Sequence, residues 1–326
     1  MIDRTVAVNP ESVLSLFEAT ALDGSPLPRP PGRPPWPCIA LDRWAGRAFR
    51  MPPGDPRLEA ISRGEPAPPG PLWNLEGAVR DWAQHPDWMD LQDPSSPVHG
   101  VTMLERDLYL HHWETALRGA SRVLDLGVGA GRFAGWLLER GCEVEGVDPI
   151  LPSLWRTLWH AAGGPGRLDL HWTTGERLPD LAPVDAVVCA EVACYVEDPE
   201  ALVEAATRVL KPGGVLCLSV EATLGWAAAP GVAPGTLGAL LDGGPVSAWG
   251  DRWVRTYDEA AVRALLHDFE ILELAPTHYA VGGPFEAAAG AGDFPTLLDW
   301  EARCRAHPIT RPWNRAWTVL ARKRGV

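Results

Sequence analysis

The sequence predicts an α/β protein built on a doubly wound, mostly parallel seven-stranded sheet. Two observations from residue 101 onward predict it. Short, near-continuous apolar runs alternate with helical patterns, and such runs suit strands covered by helices on both faces. The first run also opens directly into a glycine-rich turn and then a helix, "VLDLGVGAGRF" from Val123 to Phe133.

The elements follow in order. "TMLERDLYLHHWETALRG" reads as a helix stopped by Gly119. Val123–Leu126 is the first predicted strand, Arg132–Arg140 the helix after it, and Gly141 its stop. Glu143–Val147 is the second strand, and "LWRTLWHAAGG" supplies the next helix. Leu168–Trp172 and Asp185–Ala190 are the third and fourth strands, the latter apolar apart from its first residue. Pro199–Leu210 is a helix that stops before "KPGG", and Val215–Val220 is the fifth strand. "DEAAVRALLHD" is helical, Phe269–Leu274 is the sixth strand and Ala316–Ala321 the last.

Residues 1–100 differ in texture and read as a Pro/Trp-rich arm or cap ahead of the domain at 101–326. They hold more than half of the 33 prolines, and "LPRPPGRPPWP" and "EPAPPGPLW" exclude helix and central strand. Helical pieces are expected between them, one with a stripe through Val13, Leu14, Leu16 and Phe17 and one after Asn74.

Composition narrows the function classes. With 29 Lys+Arg against 42 Asp+Glu the formal charge is −13, which argues against a nucleic-acid surface and against anionic membranes. The six cysteines form no CxxC pair, so neither a zinc site nor a redox motif is expected, and no metal. No secretory signal is read at the start, and the run Leu224–Leu241 is broken by Pro230 and Pro234. The expectation is a cytoplasmic protein.

The glycine turn is not a phosphate cradle. Its pattern is GxGxG, with Arg132 where a dinucleotide fingerprint has its third glycine, and no GK[ST] follows. The second strand leads to Asp148, about twenty residues after Gly127, where an acid accepts hydrogen bonds from ribose hydroxyls. Glycine turn and acid together read as an adenosine-type site.

The stretch "VLDLGVGAGRFAGWLLERGCEVEGVDP" resembles the first two motifs of class I S-adenosylmethionine-dependent methyltransferases. "DAVVCAEVACYVEDPEALVEAATRVLKPGGVLCLSV" and "VRTYDEAAVRALLHDFEILEL" resemble their later ones. The resemblance runs from Leu104 to Lys323 and is strongest to small-molecule methyltransferases of the quinone-biosynthesis type. It implies the Rossmann-like methyltransferase fold and S-adenosylmethionine as cofactor. It also implies that Gly127, Gly129 and Gly131 line the methionine half, that Asp125 orders the turn or meets the amino group, and that Asp148 holds the ribose.

The same resemblance places Thr174 and Gly175 at the adenine border. Thr174 stands where the family has an acid, and Glu176 is next. Glu191 falls at a polar contact to cofactor or substrate, and Tyr195 replaces a frequent histidine.

Ligands of doubly wound sheets gather at strand carboxyl ends. That singles out Glu191 to Tyr195, Glu221, His278 and Tyr279, with His278 the best base by type. Tyr109, His111 or His112 is a candidate on the preceding helix. Trp226, Trp249, Trp253, Trp300 and Trp313, in two Gly/Pro/Trp-rich insertions, are candidate walls for the substrate site.

The resulting expectation is metal-independent methyl transfer to a small, partly apolar molecule, to oxygen first and nitrogen second. A peptide or protein acceptor and a non-catalytic cofactor-binding partner subunit are the alternatives. Oligomeric state is not read from the sequence.

Overall fold

In the computed structural model the described residues are 5–7, 48–50, 74–75, 78, 81, 86–161, 165–228, 236–243, 245–247, 253–290 and 292–324. The stripe from Val13 to Phe17, both proline-rich stretches and Trp249 lie outside them. The chain divides into two compact units, Met1–His99 with Ala120–Val184 and Gly100–Gly119 with Asp185–Val326.

The first unit is organised on three parallel strands, β3 (Arg122–Leu126), β4 (Glu143–Asp148) and β5 (Arg167–Trp172), with β4 in the middle. Leu126 lies opposite Val147, and Asp148 opposite Trp172. Their interiors are buried, including the polar Asp125, Glu145, Asp169 and His171 that alternate with the apolar residues.

The arm also adds to this sheet. β2 (Ala48–Arg50) pairs in parallel with β5, and β1 (Thr5–Ala7) pairs antiparallel with β2. Three-residue segments carry too little periodicity to be recognised in sequence. Of the helix expected after Asn74, residues 75, 78 and 81 are described and helical, and the Ala78 amide donates to the Asn74 carbonyl at 2.8 Å.

Two helices complete the unit, α3 (Ala134–Glu139) and α4 (Leu151–His160). Leu137, Leu138 and Leu154 are fully buried. Helix α4 is tied to the short helix α1 (Pro86–Met89) through the next residue: Asp90 accepts from His160 at 2.7 Å and faces Arg156 at 3.4 Å.

The second unit holds β6 (Val184–Ala190, from Asp185), β7 (Leu210–Glu221), β11 (Ala316–Lys323) and β10 (Phe269–Thr277), in that spatial order. The last strand runs antiparallel between β7 and β10, pairing Ala316 with Glu221 and with Thr277.

Helix α2 (His99–Leu117) belongs to this unit from Gly100. Helix α5 (Pro199–Val209) starts on Asp198, whose carboxylate accepts the Ala201 amide at 2.9 Å. Asp258 and Asp293 cap α8 (Glu259–Leu265) and α10 (Phe294–Ala306) in the same way. The shorter elements between are α6 (Thr223–Ala227), α7 (Thr236–Leu241), β8 (Val246–Ser247), β9 (Trp253–Val254) and α9 (Glu286–Ala289). Among the described residues no helix is long and apolar enough to cross a membrane.

Candidate active site

The turn after β3 is built by hydrogen bonds to the end of β4. The amides of Gly127 and Val128 donate to the Val147 carbonyl at 2.8 and 3.0 Å. The Gly129 amide donates to Asp148 Oδ2 at 3.0 Å, and the Ile150 amide to Asp148 Oδ1 at 2.8 Å. Thr157 of α4 closes the turn from outside, its hydroxyl donating to the Gly129 carbonyl at 2.6 Å.

Gly131 has φ +92°, and a Cβ there would stand 3.2 Å from the Thr157 methyl and 3.3 Å from its Cα. Both conformation and space demand glycine at this position. The helix starts at Ala134 rather than at Arg132 as the sequence predicts.

Two buried carboxylates flank this turn. Asp125 is 2% exposed and its Oδ2 has no hydrogen-bond partner. Burial pushes its carboxyl up to about 7, against the pull of Arg132. Burial also raises Asp148, to about 6, with the Ile150 and Gly129 amides pulling the other way.

The segment predicted to border adenine follows β5. Gly175–Arg177 is one 3₁₀ turn, with Gly175 buried and Thr174 and Glu176 half-buried. Thr173 tightens it by donating to the Arg177 carbonyl at 3.0 Å.

These residues fit S-adenosylmethionine. Asp125 offers an acceptor oxygen, Oδ2, without a hydrogen-bond partner, suited to the ammonium of an amino acid. Each Asp148 oxygen accepts one backbone amide and keeps acceptor capacity for a hydroxyl. When bound, the cofactor supplies a methyl group on a sulfonium, open to in-line displacement.

In the second unit the predicted residues meet around an arginine that sequence reasoning missed. Arg315 precedes β11. Its Nη2 donates to Glu191 at 3.0 Å and to Glu221 at 3.3 Å, while Nη1 donates to Glu105 of α2 and to the Gly282 carbonyl, the latter at 3.2 Å. Its backbone is held too: the amide donates to the His278 carbonyl at 3.2 Å and the carbonyl accepts from Ala222 at 2.7 Å.

Glu191 lies just beyond β6 in the left-handed region, φ 59°. Its amide is anchored on Ser219, with the hydroxyl oxygen at 2.9 Å, and Oε1 also accepts the Tyr109 hydroxyl at 3.0 Å. Glu221 at the end of β7 is buried; desolvation pushes it up to about 7, opposed by Arg315 and reinforced by Glu191.

His278 is the first residue after β10, also left-handed at φ 61°, and it is fully buried. Its ring packs on Tyr109 with centroids 4.4 Å apart, and Nδ1 lies 2.9 Å from the Thr277 hydroxyl. Tyr195 is half-buried; burial and the charges of Glu221, Cys194 and Glu191 hold its hydroxyl well above the ordinary tyrosine value. At neutral pH that hydroxyl is a hydrogen-bond donor, not a base.

The other candidates take structural places. The Tyr279 hydroxyl donates to the Arg311 carbonyl at 2.7 Å, and His112 pairs with Glu273 at 2.6 Å while His111 is exposed. Trp226 is buried and Trp300 half-buried, whereas Trp253 and Trp313 are exposed.

Residues 124–218 match the family described as a methyltransferase domain. That segment contains the glycine turn and Asp148, so residues 124–218 are similar to a methyltransferase domain. Among characterised relatives it is similar to the ubiquinone biosynthesis O-methyltransferase of Idiomarina loihiensis, 32% identical over 134 residues, covering 40% of this chain and 54% of that one. The enzyme of the same name from Alkalilimnicola ehrlichii is 34% identical over 134 residues, covering 40% and 53%. The chain thus spans about half the length of the curated relatives it matches. A solved structure from Listeria monocytogenes, assigned to the S-adenosylmethionine dependent methyltransferases, superposes with a TM-score of 0.50 at 16% identity, covering 68% of this chain and 99% of that one. At that identity the likeness is one of fold.

Proposed function

We propose that the protein transfers a methyl group from S-adenosylmethionine to an oxygen of a small, partly apolar molecule, without a metal, in the cytoplasm. The observation that carries the reading is the pair of buried carboxylates, Asp125 and Asp148, flanking a glycine turn inside the segment that matches a methyltransferase domain. The O-methyltransferase relatives support oxygen as the accepting atom.

In this reading Gly127, Gly129, Gly131, Asp125 and Asp148 hold the cofactor, with Thr174, Gly175 and Glu176 at its adenine end. Glu191 and Tyr195, both half-buried, meet the acceptor, one as a hydrogen-bond acceptor and one as a donor. His278 acts behind them by holding the Tyr109 ring, whose hydroxyl orients Glu191. In-line transfer needs this fixed geometry more than it needs acid–base chemistry.

Two measurements test the reading. Calorimetry with S-adenosylhomocysteine should show binding that is lost in Asp148→Ala; no binding, or binding unchanged in the variant, refutes it. Labelled methyl transfer into a cell extract, with mass analysis, should place the label on a small molecule. Label on a peptide, or on nothing, points instead to a protein acceptor or to a non-catalytic partner subunit.

A further inference from the structure

We propose that Thr157 is a positioning residue for the cofactor: its hydroxyl locks the glycine turn onto Asp148, and the nucleoside half of S-adenosylmethionine binds to that locked form. The proposal rests on the methyltransferase reading above. It adds a residue of α4 that the sequence motifs do not single out.

The hydrogen bonds around Asp148 form a closed circuit. The Gly129 amide donates to Asp148 Oδ2 at 3.0 Å, and the Ile150 amide, at the entry to α4, donates to Oδ1 at 2.8 Å. About two helical turns further along, α4 reaches back to the glycine turn. There the Thr157 hydroxyl donates to the Gly129 carbonyl at 2.6 Å. Both peptide groups of Gly129 are therefore held, one by the acid and one by the helix that follows it. If Thr157 lets go, the carbonyl side is free to rotate, and the amide is drawn off the carboxylate.

The turn needs such a clamp. Gly129 stands at φ 55° and Gly131 at φ 92°. Glycine reaches these conformations without strain, but it also loses more freedom than any other residue when it is fixed. A turn fixed beforehand spares cofactor binding that entropy loss.

The geometry shows where the hydroxyl proton goes. A hydroxyl has one proton to donate, and on a helix it often goes to the carbonyl four residues back. That carbonyl, of Ser153, is within reach at 3.2 Å, but the shorter distance is to Gly129. Thr157 is fully buried, so water does not compete for the proton. The other branch of the side chain serves the same turn, its methyl lying 3.2 Å from where Gly131 would carry a Cβ. A β-branched side chain has few rotamers on a helix, so hydroxyl and methyl are held against Gly129 and Gly131 together.

The test separates the two branches in the full chain. Thr157→Val keeps the shape and removes the donor, while Thr157→Ser keeps the donor and removes the methyl. Both should melt a few degrees below the parent, one for a lost buried hydrogen bond and one for a lost buried methyl group. Calorimetry with S-adenosylhomocysteine should show about tenfold weaker binding in Thr157→Val, and binding within about twofold of the parent in Thr157→Ser. In the cofactor-free protein the Gly129 amide should exchange with deuterium about tenfold faster in Thr157→Val and at the parent rate in Thr157→Ser. A threonine that only supports the fold would lose affinity in step with stability in both variants. The proposal is overturned if folded Thr157→Val binds as tightly as the parent, or if Thr157→Ser loses as much affinity as Thr157→Val. Should Thr157→Val fail to fold, Thr157→Ala takes its place with the same expected losses. A parent that binds no S-adenosylhomocysteine overturns the methyltransferase reading instead; the exchange measurement uses no ligand and still decides whether Thr157 locks the turn.

Discussion

Replacing Asp125 with asparagine should make the cofactor-free protein more stable at pH 8 while weakening the cofactor site. Asp125 is buried beneath the glycine turn, and its carboxyl is raised from an ordinary 3.8 to about 7, chiefly by burial. A raised carboxyl value means the folded state prefers the neutral acid. Stability from this group is complete below the unfolded value and is lost as pH climbs through the folded one. The loss begins near pH 4, grows by about 1.4 kcal/mol per pH unit, and levels off above about pH 7 at roughly 4 kcal/mol. Asparagine carries no charge at any of these pH values and escapes the penalty. Urea denaturation followed by circular dichroism should find Asp125→Asn more stable at pH 8, with the gap narrowing by about half near pH 5.5. Calorimetry should show weaker binding of S-adenosylhomocysteine in the same variant, the usual exchange of stability for function. A variant no more stable than the parent at pH 8, or a gap that does not narrow on acidification, would refute the electrostatic argument.

Other outcomes follow from the same geometry. Gly131→Ala meets Thr157 at 3.2 Å from a backbone with φ +92°, and should cost about 1–3 kcal/mol in thermal or urea unfolding along with cofactor affinity. Arg315→Met leaves Glu105, Glu191 and Glu221 without their shared guanidinium, and should cost about 3–5 kcal/mol at pH 8. That deficit should shrink at pH 5, where Glu221, raised to about 7, takes up a proton, and a deficit independent of pH would argue for lost packing instead. Tyr109→Phe keeps the ring against His278 and Trp113 but removes the hydroxyl from Glu191. It should cost about 1 kcal/mol in stability and slow labelled methyl transfer while leaving S-adenosylhomocysteine affinity unchanged.

The strands and helices of the sheet were readable because each is a local pattern. β3, β4 and β5 are short segments rich in Val and Leu, and each observed range is one residue longer than expected, at one end only. β7 was misjudged more, since it starts at Leu210 and not at Val215. "KPGG" reads as a stop, yet Lys211 reaches Asp185 at 2.5 Å, and a Cβ on Gly214 would come within 3.0 Å of the Asp185 carbonyl. There the glycine permits close approach between neighbouring strands rather than a break.

The glycine turn and the acid beside it were equally legible, because a turn and the acid at the end of the next strand lie about twenty residues apart in a fixed supersecondary unit. The Arg315 cluster was not. Its partners stand 210, 124 and 94 residues away in the chain, and "RPWNRAW" carries no periodic or motif signal of its own.

The sequence alone therefore determined what depends on spacing along the chain: the alternation of strands and helices, the glycine turn, and the placing of Asp125 and Asp148 beside it. Only the tertiary structure decided which side chains share a charge. Burial raises Asp125 and Glu221 to about 7, and Glu105, Glu191 and Glu221 converge on one guanidinium. Desolvation and Coulomb interaction depend on distance through space, which chain order does not record.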